Sequence, residues 1–229
     1  LYLIYFWYKI YFMNVVAQKF GDKKIWLNWR LELNKDGKET KVPYKTNGNY
    51  GSSTDSKTWS TYPLVLKARE KISNMGIRKT GGIGLVFEST EKIIGVDFDH
   101  CITNKTISDK RIENFIKKSN TYCEYSPSKT GLHVLFQAES DIELSCNKRP
   151  VMKKEYPETE VYTQGRYFTF TEDEHEMSKP IREISENEFT QEMLPIVGYP
   201  WNGLHILKQP EYESSFAFLL NDKKLLETI

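Results

Sequence analysis

Asp97 and Asp99 stand two residues apart in the run Ile93-Ile94-Gly95-Val96-Asp97-Phe98-Asp99-His100. Side chains alternate along a strand, so Ile94, Val96 and Phe98 point to one face, the core, and the two aspartates to the other. Their Cα atoms would lie ~6.8 Å apart at the usual rise per residue. At ~6 Å and an effective dielectric of ~20, two such carboxylates repel by roughly 3 kcal/mol. A cation between them would justify that arrangement, and Mg²⁺ or Mn²⁺ prefers hard oxygen ligands of this kind. A solvated edge strand with an acidic outer face is the other reading of a bare Asp-x-Asp.

Two further segments follow the same pattern. In Leu132-His133-Val134-Leu135-Phe136, alternation sends Leu132, Val134 and Phe136 inward and throws His133 to the opposite face. The preceding loop, Ser126-Pro127-Ser128-Lys129-Thr130-Gly131, is small and polar. Such a loop can bring backbone N–H groups and a cation to a phosphate; a turn beside an incidental surface histidine is the alternative. Glu160 alternates against Val161, and Arg166 opens the next run, Arg166-Tyr167-Phe168. Arginine binds phosphate in a bidentate way that lysine cannot. On its own, such a Glu and Arg would be an exposed ion pair.

Together the segments supply three carboxylates, a histidine and an arginine. Three carboxylates can hold two divalent ions, which stabilise the attacking and leaving oxygens of an in-line displacement at phosphorus. Histidine and arginine can hold the triphosphate of an incoming nucleotide.

The elements that must position these groups are legible in outline. Residues 25–33 read as a strand, Asn34-Lys35-Asp36-Gly37 as a turn, and residues 41–45 as a short strand that Pro43 confines to an edge. Residues 46–56 read as a loop. Residues 62–73 read as a helix with Thr61 as its cap, Pro63 in its first turn, and Val65, Ala68 and Ile72 on one face. Residues 84–87 and 93–99 read as strands, and residues 108–119 as a second helix with Ile112, Phe115 and Ile116 inward. Residues 122–125 and 132–137 read as the arms of a hairpin. Residues 160–163 and 167–171 read as a strand pair around Gln164-Gly165. Residues 139–157 are polar and irregular, and the last thirty or so carry a modest helical pattern. Interleaved strands and helices with frequent hairpins predict a mixed α+β domain with mainly antiparallel pairing.

Composition narrows the class without choosing a partner. At 39% hydrophobic and 28% charged residues, the chain suits a globular protein rather than a disordered one. The net charge of +1 is silent about nucleic acid, because an enzyme needs only a local basic groove. Three cysteines without a CxxC pair argue against a disulfide framework or structural zinc and fit a reducing cytoplasm. Seven of the first twelve residues are aromatic, and Met13 follows. A membrane span needs ~20 apolar residues, and Met13 follows at once, so residues 1–12 are expected to be an upstream extension that can be removed without loss of activity; the alternatives are an apolar arm docked on the core and a membrane anchor. Residues 13–195 are expected to form the catalytic domain, and 196–229 a tail or the start of a linker.

The order of these motifs resembles the archaeo-eukaryotic primase superfamily, and within it the primase-polymerase branch of phages, plasmids and mobile elements. The strings that carry the resemblance are GVDFDH (95–100), YSPSKTGLHV (125–134) and EVYTQGRYFTFT (160–171), supported upstream by KVPYK (41–45) and TDSKTWSTY (54–62). It spans residues 26 to 171. The resemblance implies a primase-like fold whose RRM-like antiparallel sheet carries the active site. It implies template-dependent nucleotidyl transfer, priming or polymerisation of DNA, by a two-metal mechanism. Asp97, Asp99 and Glu160 would be ligands of two Mg²⁺ or Mn²⁺ ions and, with His133, the catalytic set. His133, Ser126, Ser128, Lys129 and Arg166 would bind the nucleotide. Lys129 is a departure, standing where the family often has glycine. The implied partners are a single-stranded DNA template and an NTP or dNTP, with a helicase domain or protein as a further possibility and no membrane. No Gly-x-x-x-x-Gly-Lys-Ser/Thr phosphate loop occurs in the chain. A divalent-metal nuclease using the same carboxylates, or a catalytically silent DNA-binding module of a replication initiator, are the alternatives.

Overall fold

The structure, a computed structural model, describes residues 14–142 and 156–199. The apolar stretch before Met13, residues 143–155 and the helical pattern beyond residue 200 lie outside the described residues.

The alternating runs form strands in two main sheets. Strands β1 (Trp26–Leu33), β2 (Glu39–Tyr44), β3 (Gly81–Val86) and β10 (Tyr167–Phe170) make a four-stranded antiparallel sheet in the order β10-β3-β1-β2. Pro43 sits on the edge strand β2, where a missing N–H is tolerated. The second sheet contains β4 (Ile93–Phe98), β7 (Tyr122–Tyr125), β8 (Leu132–Ala138), β9 (Thr159–Tyr162) and β11 (Glu183–Ile184). Its order is β11-β8-β4-β9, with β7 also paired to β8, and only the short β11 runs parallel to its neighbour. Strands β5 (Ile102–Thr103) and β6 (Thr106–Ile107) form a separate small hairpin. The architecture is mixed α+β with antiparallel sheets.

Among the described residues, three α-helices pack on these sheets: α1 (Val15–Phe20), α2 (Tyr62–Asn74) and α3 (Lys110–Ser119). Helix α3 starts where the Asp109 side chain accepts the Arg111 amide and stops at Asn120 in the left-handed conformation. Its Ile112, Phe115 and Ile116 are buried, as the i, i+3, i+4 spacing requires. Helix α2 buries Val65 and Ile72. Thr61 makes no side-chain capping bond there, contrary to expectation. Pro63 needs no acceptor and the Tyr62 amide donates to the Gly21 carbonyl, so the first turn has less demand for a cap.

One pairing differs from the sequence expectation. Strands β9 and β10 do not form a hairpin around Gln164-Gly165: β9 joins β4 and β10 joins β3. Alternation identifies strands and their faces, not their neighbours. Between them Gly165, at φ +69°, and Arg166 bond to the backbone of Phe87, so the chain crosses from one sheet to the other. This crossing places Val161 in the core under α3 and Phe168 and Phe170 in the core around Trp26.

The two cores meet across β4. Ile94, Val96 and Phe98 pack with α3, whereas Ile93 packs with Trp26, Leu85, Phe87 and Phe168 beneath the other sheet. The face of β4 that carries the aspartates is thus buried at one end and opens only toward Asp97. Gly95 leaves room for two rings beneath the other sheet. A Cβ at that position would stand 2.3 Å from Phe87 Cζ and 2.6 Å from Phe168 Cε2. Those rings pack edge to face with centroids 4.7 Å apart, so neither can yield freely. Gly95→Ala is expected to lower unfolding stability by about 1–3 kcal/mol, read as a fall in the denaturation midpoint; an unchanged midpoint would mean the sheets are not in contact there.

At the far end, the turn Leu194–Val197 crosses residue 195, and Val197 and Tyr199 are buried in the α3 core. No helix among the described residues is long and apolar enough to cross a membrane.

Candidate active site

Strand register sets Glu124, His133, Asp97 and Glu160 in one row across β7, β8, β4 and β9. Glu124 opposes His133, His133 opposes Asp97, and Asp97 opposes Glu160. Directly opposite residues share a face, with Cβ atoms about 4.5–5.5 Å apart. The next row, Tyr122, Leu135, Gly95 and Tyr162, lies under the four-stranded sheet and closes one side of the cleft.

His133 is the best fixed member of the row. It was expected on an open face, but only 4% of it is exposed. Its ring stacks on Phe168 from the other sheet, with centroids 4.5 Å apart. Nδ1 lies 3.3 Å from Glu124 Oε1, and Nε2 lies 3.8 Å from Asp97 Oδ1. Burial disfavours the imidazolium, but the Glu124 hydrogen bond and the charges of Asp97 and Glu124 outweigh it, so the His133 pKa lies above its ordinary value.

Asp97 has the opposite problem. Burial, with the like charges of Asp99 and Glu160, raises its pKa, while His133 and Lys41 partly counteract the rise. Its Oδ1 is buried and accepts no hydrogen bond. A buried carboxylate oxygen left unsatisfied costs free energy. Asp99 follows the last residue of β4, and its amide bonds to the Glu158 carbonyl. The Glu160 carboxylate accepts the Tyr162 hydroxyl, and Arg166 lies over the Tyr162 ring at 5.8 Å. Among the described residues, no three or more His, Cys, Asp or Glu side chains are grouped so that they could hold a metal ion.

The 126–131 loop is tied to itself. Ser126 Oγ accepts the Gly131 amide and bonds to Ser128 Oγ, which in turn bonds to Thr130. A Cβ on Gly131 would stand 2.7 Å from the Phe98 carbonyl oxygen, at the end of β4. Lys129 adopts φ +63°, the left-handed conformation that favours glycine. The turn therefore keeps a glycine-type backbone despite the lysine. The Lys129 ammonium pairs with Asp173 and lies over the Tyr125 ring, so its charge is already engaged.

Asp97, His133 and Glu160 thus stand side by side, Asp99 borders them, Arg166 reaches Tyr162 beside Glu160, and Lys129 is turned to Asp173. Two residues of the site were not singled out in the sequence. Glu124 is buried, and its signal was the β7–β8 hairpin itself, whose register puts it opposite His133. Lys41, in the upstream KVPYK string, extends its ammonium over Trp29 at 5.9 Å. Desolvation there lowers its pKa although much of the side chain is exposed, and the charges of Asp97 and Asp99 oppose the shift.

No family model matches the chain. It is similar to a curated protein, the DNA primase-polymerase of Nitratiruptor phage NrS-1, with 28% identity over 161 residues. The similarity supports a place in the primase-polymerase family. The alignment covers 69% of this chain but 20% of the phage protein, so the chain spans about a fifth of that relative's length.

Proposed function

We propose that this chain carries out template-directed nucleotidyl transfer, as a DNA primase or polymerase serving the replication of a phage or mobile element. The observation that carries the proposal is the row His133, Asp97 and Glu160 with the unsatisfied Asp97 Oδ1 at its centre. The named activity of the phage relative agrees with it. In this reading the five-stranded sheet is the active-site sheet of the primase-like fold.

Asp97, Asp99 and Glu160 would hold Mg²⁺ or Mn²⁺. Bound there, the ions would supply charge stabilisation to an in-line displacement at phosphorus. His133 presents Nε2 to the cleft and would bind the triphosphate of an NTP or dNTP, with Arg166 beside it. Ser126, Ser128 and Lys129 of the 126–131 loop would be its further contacts. Lys129 would have to leave Asp173 to reach a phosphate, an exposed pairing worth about 0–1 kcal/mol. Phe168 and the Tyr122–Tyr162 row shield one side of the site from water. A single-stranded DNA template would lie along the open side, and a helicase would be a partner in the longer replication assembly.

Primer extension on single-stranded DNA tests this. The protein is expected to lengthen a labelled primer with template-complementary nucleotides when Mg²⁺ or Mn²⁺ is present, and to stop when the metal is chelated. Shortening of the primer would instead identify a nuclease built on the same carboxylates. Nucleotide binding without turnover would identify a silent binding module.

A further inference from the structure

Glu124 is 1% exposed, and a phenol and two backbone amides donate to it. Oε2 accepts the Tyr122 hydroxyl at 2.8 Å and the Glu172 amide at 2.9 Å. The Thr171 amide lies 3.1 Å from both oxygens. Oε1 faces His133 Nδ1 at 3.3 Å. The Tyr122 oxygen itself accepts from Asn14 Nδ2 at 3.0 Å, which leaves the phenolic proton for Glu124. Glu172, whose amide is one of these donors, adopts φ +61°, a strained conformation for a non-glycine residue. One carboxylate therefore joins β7, β8 and the chain just after β10.

We propose that Glu124 is the positioning residue for His133: it accepts the hydrogen of Nδ1, pins the ring against Phe168, and so aims the Nε2–H of the doubly protonated ring into the cleft to donate to a phosphate oxygen of the nucleotide. The role rests on the site assignment above, in which His133 binds the triphosphate. The surrounding donors explain why a carboxylate stands here. Two amides and a phenol fix the acceptor role of Oε2, so Oε1 is left to define which ring nitrogen carries hydrogen. A glutamine would satisfy the amides with its carbonyl and present N–H to His133. Nδ1 would then have to accept, so the ring would keep hydrogen on Nε2 alone and meet the phosphate without its positive charge.

Two measurements test this on the full chain. With ¹⁵N-labelled histidine, the ring resonances lost in His133→Ala identify His133 among the four histidines. Wild type is expected to show a protonated Nδ1 and Glu124→Gln a bare one; a bare Nδ1 in wild type overturns the proposal, whether or not the variant folds. In steady-state incorporation, His133→Ala and Glu124→Gln should each raise the nucleotide KM, by about ten-fold or more for the former. The double variant should be no worse than His133→Ala alone, because residues acting through one contact are not additive. Multiplying effects, or a Glu124→Gln protein with wild-type KM, overturn the positioning role. If His133→Ala leaves KM unchanged, the triphosphate assignment fails, while the nitrogen resonances still judge the Glu124–His133 contact separately.

Discussion

Asp97→Asn is expected to remove nucleotide incorporation, by about a thousand-fold or more if cation binding contributes several kcal/mol, without weakening the fold. The two halves of that expectation have different causes. An amide is a poorer ligand for a hard cation, so the ions leave. Stability is governed by the unliganded site. Folding raises the Asp97 pKa, chiefly by burial and then by Asp99 and Glu160. An acid whose folded pKa is raised gains stability only at low pH and loses it as the pH climbs through that pKa. At neutral pH the ionised Asp97 therefore costs stability, and asparagine removes the cost, less what the approach of His133 Nε2 at 3.8 Å returns. The thermal midpoint should stay level or rise slightly. Near wild-type primer extension would end the metal assignment. Lost activity with a large fall in midpoint would make Asp97 a structural residue instead.

His133→Ala is expected to act on the substrate rather than on the metals. A charge-assisted hydrogen bond is worth about 1.5–3 kcal/mol, so the nucleotide KM should rise about ten- to a hundred-fold. Any fall in kcal-scale terms that appears in kcat reports a contact made only in the transition state. The fold should weaken modestly, because Phe168 loses its stacking partner and Glu124 loses one of its donors. Glu124 keeps the Thr171 and Glu172 amides, which limits the damage. Assays well below the midpoint, with Mg²⁺ and with Mn²⁺, separate the two effects. A variant with unchanged KM and a lost metal requirement would reverse the roles assigned to His133 and Asp97.

The sequence showed the strands but not how they share neighbours. Alternation in the runs around Asp97, His133 and Glu160 was enough to place all three opposite an apolar set, and register then brought them abreast. The same alternation could not say that β9 and β10 part company, because a strand's period carries no label for its partner. It also could not show that Ile93 and Gly95 are covered by a second sheet, which makes His133 a buried residue stacked on Phe168 rather than a surface one. Glu124 escaped notice for a related reason. In the run Tyr122-Cys123-Glu124-Tyr125 it reads as a solvated strand residue, and only its polar partners, two of them backbone amides from a segment nearly fifty residues away, show why it is buried. Lys129 shows the opposite case: the departure from glycine was visible, and the structure accounts for it by keeping the left-handed backbone.

The most direct test of the central claim is synthesis on a single-stranded DNA template without a primer, with NTPs and dNTPs supplied separately and one labelled nucleotide at a time. If the Asp97–His133–Glu160 cleft performs template-directed transfer, a homopolymeric template should direct incorporation of its complementary nucleotide alone, with Mg²⁺ or Mn²⁺ required and with no product from Asp97→Asn. Incorporation that ignores the template, or that persists in Asp97→Asn, would contradict it.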